Sequence, residues 1–125
     1  MNFVGLTAAL TAFLSIWFGH VAVRKIEFIS PTTWLPTVIF ALLGLLTEYS
    51  AFLTSNRALS IAGAILGITF LWDALEILRQ EKRVRKGHAP ANPRNPRHAR
   101  FLAEPGSLAT TRDLLKREPQ ETPDL

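Results

Sequence analysis

The 125-residue chain has no cysteine, one methionine and one tyrosine. Without a thiol it forms no disulfide, no thiolate nucleophile, no iron–sulfur cluster and no cysteine zinc site of its own. It also lacks a Gly-rich phosphate loop, a nucleophile elbow and any His/Asp/Glu spacing that matches a metal motif. No catalytic residue, cofactor or metal is therefore expected, and the chain reads as a non-enzyme. Charge is scarce over the first two thirds: Arg24, Lys25 and Arg57 are the only basic residues before Arg79, and 11 follow from there on.

What is there is apolar sequence in blocks. Residues 3–23 carry no Asp, Glu, Lys or Arg, and as a helix they would span roughly 30 Å, about the hydrocarbon thickness of a bilayer. No basic residue precedes the block and no convincing small-x-small cleavage site follows it, so it reads as a retained span rather than a signal peptide. A second run, 34–53, has Pro36 in its first turn and only Glu48 as an interruption, a carboxylate expected near the far face within reach of solvent or Arg57. A polar hairpin at 54–57 leads to a third run, 58–78, that carries Asp73 and Glu76 in its last turns. The spacing predicts continuation of this helix into water to Lys86, with a Glu81–Arg85 pair at i,i+4 and Gly87 as the stop. The expected fold class is all-α, with three transmembrane helices in a domain over residues 1–87. A cytoplasmic, basic, proline-rich tail over 88–125 follows. Pro90, Pro93 and Pro96 predict an extended arm, with one short helix near 107–117 after it.

Three spans put the hairpin and the N-terminus on one side and everything else on the other, dividing Lys and Arg as 1 against 13. The positive-inside bias makes the crowded side cytoplasmic, as in a bacterial inner membrane, and Trp17, Trp34 and Trp72 fall towards the same interface.

The run Trp72-Asp73-Ala74-Leu75-Glu76, the exit Glu81-Lys82-Arg83-Val84-Arg85-Lys86-Gly87, Pro90, Asn92-Pro93-Arg94, the opening Met1-Asn2-Phe3-Val4-Gly5-Leu6 and His20 before a basic loop are together similar to a family of short bacterial membrane proteins known only as a domain of unknown function. The resemblance covers about the first hundred residues and implies a three-helix membrane fold without supplying an activity, ligand or partner.

Helices in lipid associate through small residues. Ala8, Ala12, Ser15 and Gly19 on the first span, and Ser60, Gly63, Gly67 and Ala74 on the third, are the candidate packing faces, either for each other or for another subunit. His20, Asp73 and Glu76 form a candidate intramembrane polar cluster, read either as a hydrogen-bonded structural set or as a proton or cation site. Arg79, Lys82, Arg83, Arg85, Lys86, Arg94, Arg97 and Arg100 are candidate contacts for anionic lipid or a partner, each attracted to an anionic surface by about 1 kcal/mol. Phe101 is the arm's sole aromatic neighbour, so nucleic acid is not expected as a partner. Leu108, Leu114 and Leu115 would dock the tail on a partner. The leading expectation is a non-catalytic accessory subunit of a larger membrane complex; the alternative is a homo-oligomeric channel or proton-linked transporter built on the polar cluster.

Overall fold

Asn2 ends its own extended backbone by accepting a hydrogen bond from Val4 N–H, and Asn56 does the same for Leu59 N–H. Each satisfies a donor that a helix start leaves open. From these caps run α1 (Phe3–Ile29) and α3 (Arg57–Arg85), with α2 (Trp34–Leu53) between them and a short α4 (Pro96–Ala103) near the end. The structure is a computed structural model that describes residues 2–113. Among these there is no strand, and α1, α2 and α3 are each long and apolar enough to cross a membrane. The chain is thus an all-α, multi-pass membrane protein.

The helices α1 and α2 both pack on α3, which is the central helix, and make little contact with each other. Close approach of α2 to α3 depends on missing side chains. A Cβ on Gly44 would lie 2.7 Å from Leu71 Cγ and 2.9 Å from the Gly67 carbonyl, and one on Gly63 would lie 3.0 Å from Ala51 Cβ. Ser60 Oγ donates to Ala51 O at 2.9 Å across the same seam. Val23, Phe40, Ala74 and Ile77 make the buried core where the three helices meet. Around it nearly all large apolar side chains face outward, as lipid requires and water would not tolerate.

The first helix does not end with its apolar run. Instead of giving way to the expected basic loop soon after His20, the helix continues to Ile29, because nothing breaks it before Pro31 and distant side chains satisfy its last carbonyls. The third helix ends as its sequence predicts: Gly87 sits at φ 78°, His88 N–H donates to Arg83 O and Gly87 N–H to Val84 O, a Schellman closure.

The segment beyond Gly87 is not an extended arm. Asn92-Pro93-Arg94 and Asn95-Pro96-Arg97 are two copies of one signal, in which the Asn side chain accepts from the backbone N–H two residues on and proline occupies the place where no donor is needed. The second copy opens α4. Proline, taken from the sequence as excluding a helix, here starts one. Its apolar face, with Phe101, joins Val84, Ala89 and Ala91 in a second core against the end of α3. The expected helix near 107–117 is absent over its described part, 107–113. That stretch folds back over the α3 terminus instead: Ala91 N–H donates to Thr110 O at 2.8 Å, and the Leu108 carbonyl occupies the space that a Cβ on Gly87 would fill. Leu108 itself is exposed, and Leu114 and Leu115 lie outside the described residues.

Candidate functional site

Two polar constellations stand out, one at the tail end of the bundle and one inside it. At the tail end α1 presents no basic residue in its last turn, leaving its terminal carbonyls without favourable charge or donors from its own sequence. The segment after α3 supplies both. Asn92 Nδ2 and Asn95 Nδ2 each donate to Phe28 O at 3.1 Å, Asn95 Nδ2 also to Ser30 O at 2.9 Å, and Arg97 Nη2 to Glu27 O at 2.6 Å and Ser30 O at 3.2 Å.

Arg97 Nη1 turns the other way, to Glu27 Oε1 at 2.7 Å and Glu81 Oε2 at 2.9 Å. Arg85 stands 3.9 Å from the second Glu81 oxygen, so two carboxylates meet two guanidiniums. His98 completes the cluster and is fully buried. Its Nδ1 accepts from Asn92 N–H at 2.9 Å, so the proton belongs on Nε2, which donates to Glu27 Oε1 at 2.8 Å. The ring stacks on Phe101 and meets Phe28 edge-on. This is a structural lock with its carboxylates and guanidiniums paired.

Arg97 is accordingly not a lipid or partner contact. It is 5 % exposed, because it neutralises Glu27 and caps α1. The other residues of the basic set, Arg79, Lys82, Arg83, Arg85, Lys86, Arg94 and Arg100, are exposed. Two of them are occupied by Glu76, which receives Arg79 Nη1 at 3.0 Å and Arg83 Nη2 at 3.2 Å.

Inside the bundle, Asp73 lies beneath Gly19. A Cβ there would come within 2.7 Å of both its carboxylate oxygens. One helical turn away Ser15 Oγ and Thr69 Oγ1 are 3.3 Å apart across the same α1–α3 seam. Asp73 is buried yet lines clefts on both sides of the seam. One, of about 380 Å³, is the groove left between α1 and α2, walled by Leu14, Phe18, Phe40 and Phe70; the other, of about 320 Å³, holds His20. His20 is exposed and links the trio: it shares one cleft with Asp73 and another, of about 440 Å³, with Glu76, which is itself ion-paired to Arg79 and Arg83. The described residues hold no group of three His, Asp or Glu able to bind a metal ion.

Small residues sort in the same manner. Ser60, Gly63 and Gly67 face α2, Ser15 and Gly19 face α3, Ala74 lies in the shared core, and Ala8 and Ala12 are half-buried on α1. Glu48 reaches over Gly67 rather than to Arg57: a Cβ on that glycine would meet its Oε1 at 2.8 Å.

A family model described as a domain of unknown function, DUF4491, matches residues 2–95. The chain belongs to that family. No curated protein and no solved structure matches it. The DUF4491 match takes in the three long helices, Glu27 and both capping asparagines and stops just before Arg97 and His98. In this DUF4491 member the lock therefore joins residues inside the matched region to two beyond it. Sequence reasoning overlooked Glu27, Asn92, Asn95 and His98. The signal for the asparagines is the repeated Asn-Pro-Arg triplet; for Glu27 it is a carboxylate in the last turn of α1, the helix's sole acidic residue, where the helix dipole disfavours it unless a cation is brought to it.

Proposed function

We propose that the chain is a non-catalytic accessory subunit of a larger complex in the bacterial inner membrane, with its N-terminus outside and its tail in the cytoplasm, and that the groove between α1 and α2 receives a transmembrane helix of a larger integral membrane partner. The observation that carries this reading is Asp73. A carboxylate at the floor of an apolar groove open to lipid is expensive unless something pairs with it, and among the described residues it makes no hydrogen bond or ion pair, only a charge attraction to His20 across the neighbouring cleft. A partner helix bearing a hydrogen-bond donor at that depth would satisfy it, and the small side chain of Ala22 on the groove wall leaves room for close approach. The compact, charge-paired end of the bundle supports a scaffold rather than a moving or catalytic part. Glu76, tied to two arginines, weakens a conducting path through the trio.

A photo-crosslinking residue at Phe18, in the groove, tests the proposal against one at Leu45, exposed on the outer surface of α2. Adducts with an unlike membrane protein at 18 and not at 45 are the expected result. Adducts with a second copy would favour the homo-oligomeric channel, and adducts with lipid alone would dismiss the subunit reading. Asp73→Asn keeps a polar partner for the helix and is expected to retain complex recovery; Asp73→Leu is expected to lower it at least tenfold. Orientation is checked separately. A reporter after Leu125 is expected to be active in the cytoplasm and one in the 54–57 hairpin outside; both on one side would defeat the three-span arrangement.

A further inference from the structure

Where α1 passes the end of α3, a cleft of about 440 Å³ is lined by Trp17, Arg24, Glu76, Gln80, Arg83 and His88, among others. Its hydrogen-bonding account does not balance. Arg24 Nε donates to His20 O at 3.3 Å, and that bond is the only one Arg24 makes among the described residues, leaving both terminal nitrogens without an acceptor. Gln80 is 6 % exposed; its Oε1 accepts from Arg83 Nη1 at 3.0 Å, while its Nε2 has no acceptor among the described residues. The His88 ring makes no hydrogen bond there either. Among the described residues the one carboxylate in the cleft, Glu76, already receives Arg79 and Arg83. Donors are in surplus among the described residues: the cationic Arg24 and the His88 ring are exposed at the cleft, and the neutral amide of Gln80 sits on a side chain that is more than nine-tenths buried.

We infer that this cleft binds a phosphate group, and specifically the phosphodiester of an anionic phospholipid, with Arg24 as the main ligand and Gln80 Nε2 and His88 as further donors. A phosphate offers several acceptor oxygens around a single charge, and planar guanidinium forks match it in paired hydrogen bonds. Lipid is favoured over a soluble phosphate by the surroundings. Trp17, half exposed on the same wall, is the kind of amphipathic ring that settles at headgroup level. An adjoining cleft of about 640 Å³ continues past Arg24 and Gln80 along Phe28, Ile29, Ala89 and Pro90, away from the apolar spans, whereas the smaller cleft opens at Trp17 and Val21 towards the apolar run of α1, the side on which acyl chains would leave. That larger cleft also carries Glu27 and Asp113, so the phosphate belongs in the smaller one. Basic pockets between helices at a membrane surface hold lipid headgroups by the same chemistry.

The full chain, placed in nanodiscs of phosphatidylcholine with increasing phosphatidylglycerol, is examined by native mass spectrometry for retained lipid and by phosphorus NMR for a shifted resonance. One phosphatidylglycerol is expected to remain bound in preference to phosphatidylcholine. Arg24→Gln is expected to weaken its retention about tenfold, the effect of losing a charge-assisted contact. Lys82→Gln removes the same charge from an exposed position outside the cleft and is expected to change it less than twofold. Gln80→Glu, which keeps the oxygen facing Arg83 but introduces a carboxylate, is expected to behave like Arg24→Gln. Equal losses for Arg24→Gln and Lys82→Gln would show a diffuse attraction and overturn the site. Millimolar inorganic phosphate that displaces the lipid, and binds as well without it, would overturn the lipid assignment in favour of a soluble anion.

Discussion

Replacing Glu27 with alanine is expected to release the segment from Gly87 to Ala103 from the end of the bundle. Glu27 is 1 % exposed, and its Oε1 holds both Arg97 at 2.7 Å and His98 at 2.8 Å. Removing one partner of a buried pair leaves the other charge desolvated and uncompensated, at a cost of about 3–5 kcal/mol. The lower end applies here, because Glu81 still stands 2.9 Å from Arg97 and is partly open to water. About 3 kcal/mol corresponds to roughly a hundredfold rise in the undocked population. Trypsin should then cut after Arg97 or Arg100 about a hundred times faster in detergent, while the three long helices keep their helical signal. Glu27→Gln retains an oxygen acceptor for both donors and should show an intermediate rate. Unchanged cleavage in the alanine variant would mean that Glu27 does not hold the segment.

How far the sequence exposes this lock depends on the physics of each part. The three spans are legible because lipid imposes a local rule: each long apolar run must satisfy its own backbone, and a helix is the available solution. The end of α3 is legible for the same reason, since Gly87 and the basic last turn act within a few residues. The docking of α4 is not local. Glu27 and Arg97 are 70 positions apart, and nothing in the spacing of either says that it meets the other. The error over the tail has a definite origin. Three prolines read as helix breakers, although the asparagine before Pro96 makes that proline a favourable helix start and the one before Pro93 sets a turn. Counting arginines as solvated charges likewise hides Arg97, whose planar fork suits a buried carboxylate and two carbonyls at once. Asp73 lies between these extremes. Its cost in lipid is evident from the sequence, but the Gly19 notch that admits it to the α1–α3 seam comes from the fold.

The α2–α3 seam carries the second large effect, and it falls on a residue outside the Gly63/Gly67 pair. A Cβ added at Gly44 would meet Leu71 at 2.7 Å and the backbone oxygen of Gly67 at 2.9 Å; at Gly63 it would meet Ala51 Cβ at 3.0 Å; at Gly67 it would meet Glu48 at 2.8 Å. These obstacles differ in their ability to move. Glu48 has rotatable bonds and a neighbouring exposed surface, whereas a helix carbonyl is fixed by its own ladder. Gly44→Ala should therefore destabilise most, by about 1–3 kcal/mol as an overpacked contact, with Gly63→Ala intermediate and Gly67→Ala least. Gly44→Leu should part α2 from α3 altogether. Thermal unfolding in mild detergent, followed by helix signal and by fluorescence transfer between labels in the 54–57 hairpin and at Asn2, would give the order. A seam reserved for another subunit predicts the reverse pattern: Gly63 and Gly67 substitutions would abolish association while the isolated chain melted as before, and Gly44→Ala would be silent. The close approach of the Gly67 carbonyl to Gly44 selects the internal seam, because that contact leaves no space for a second helix between them.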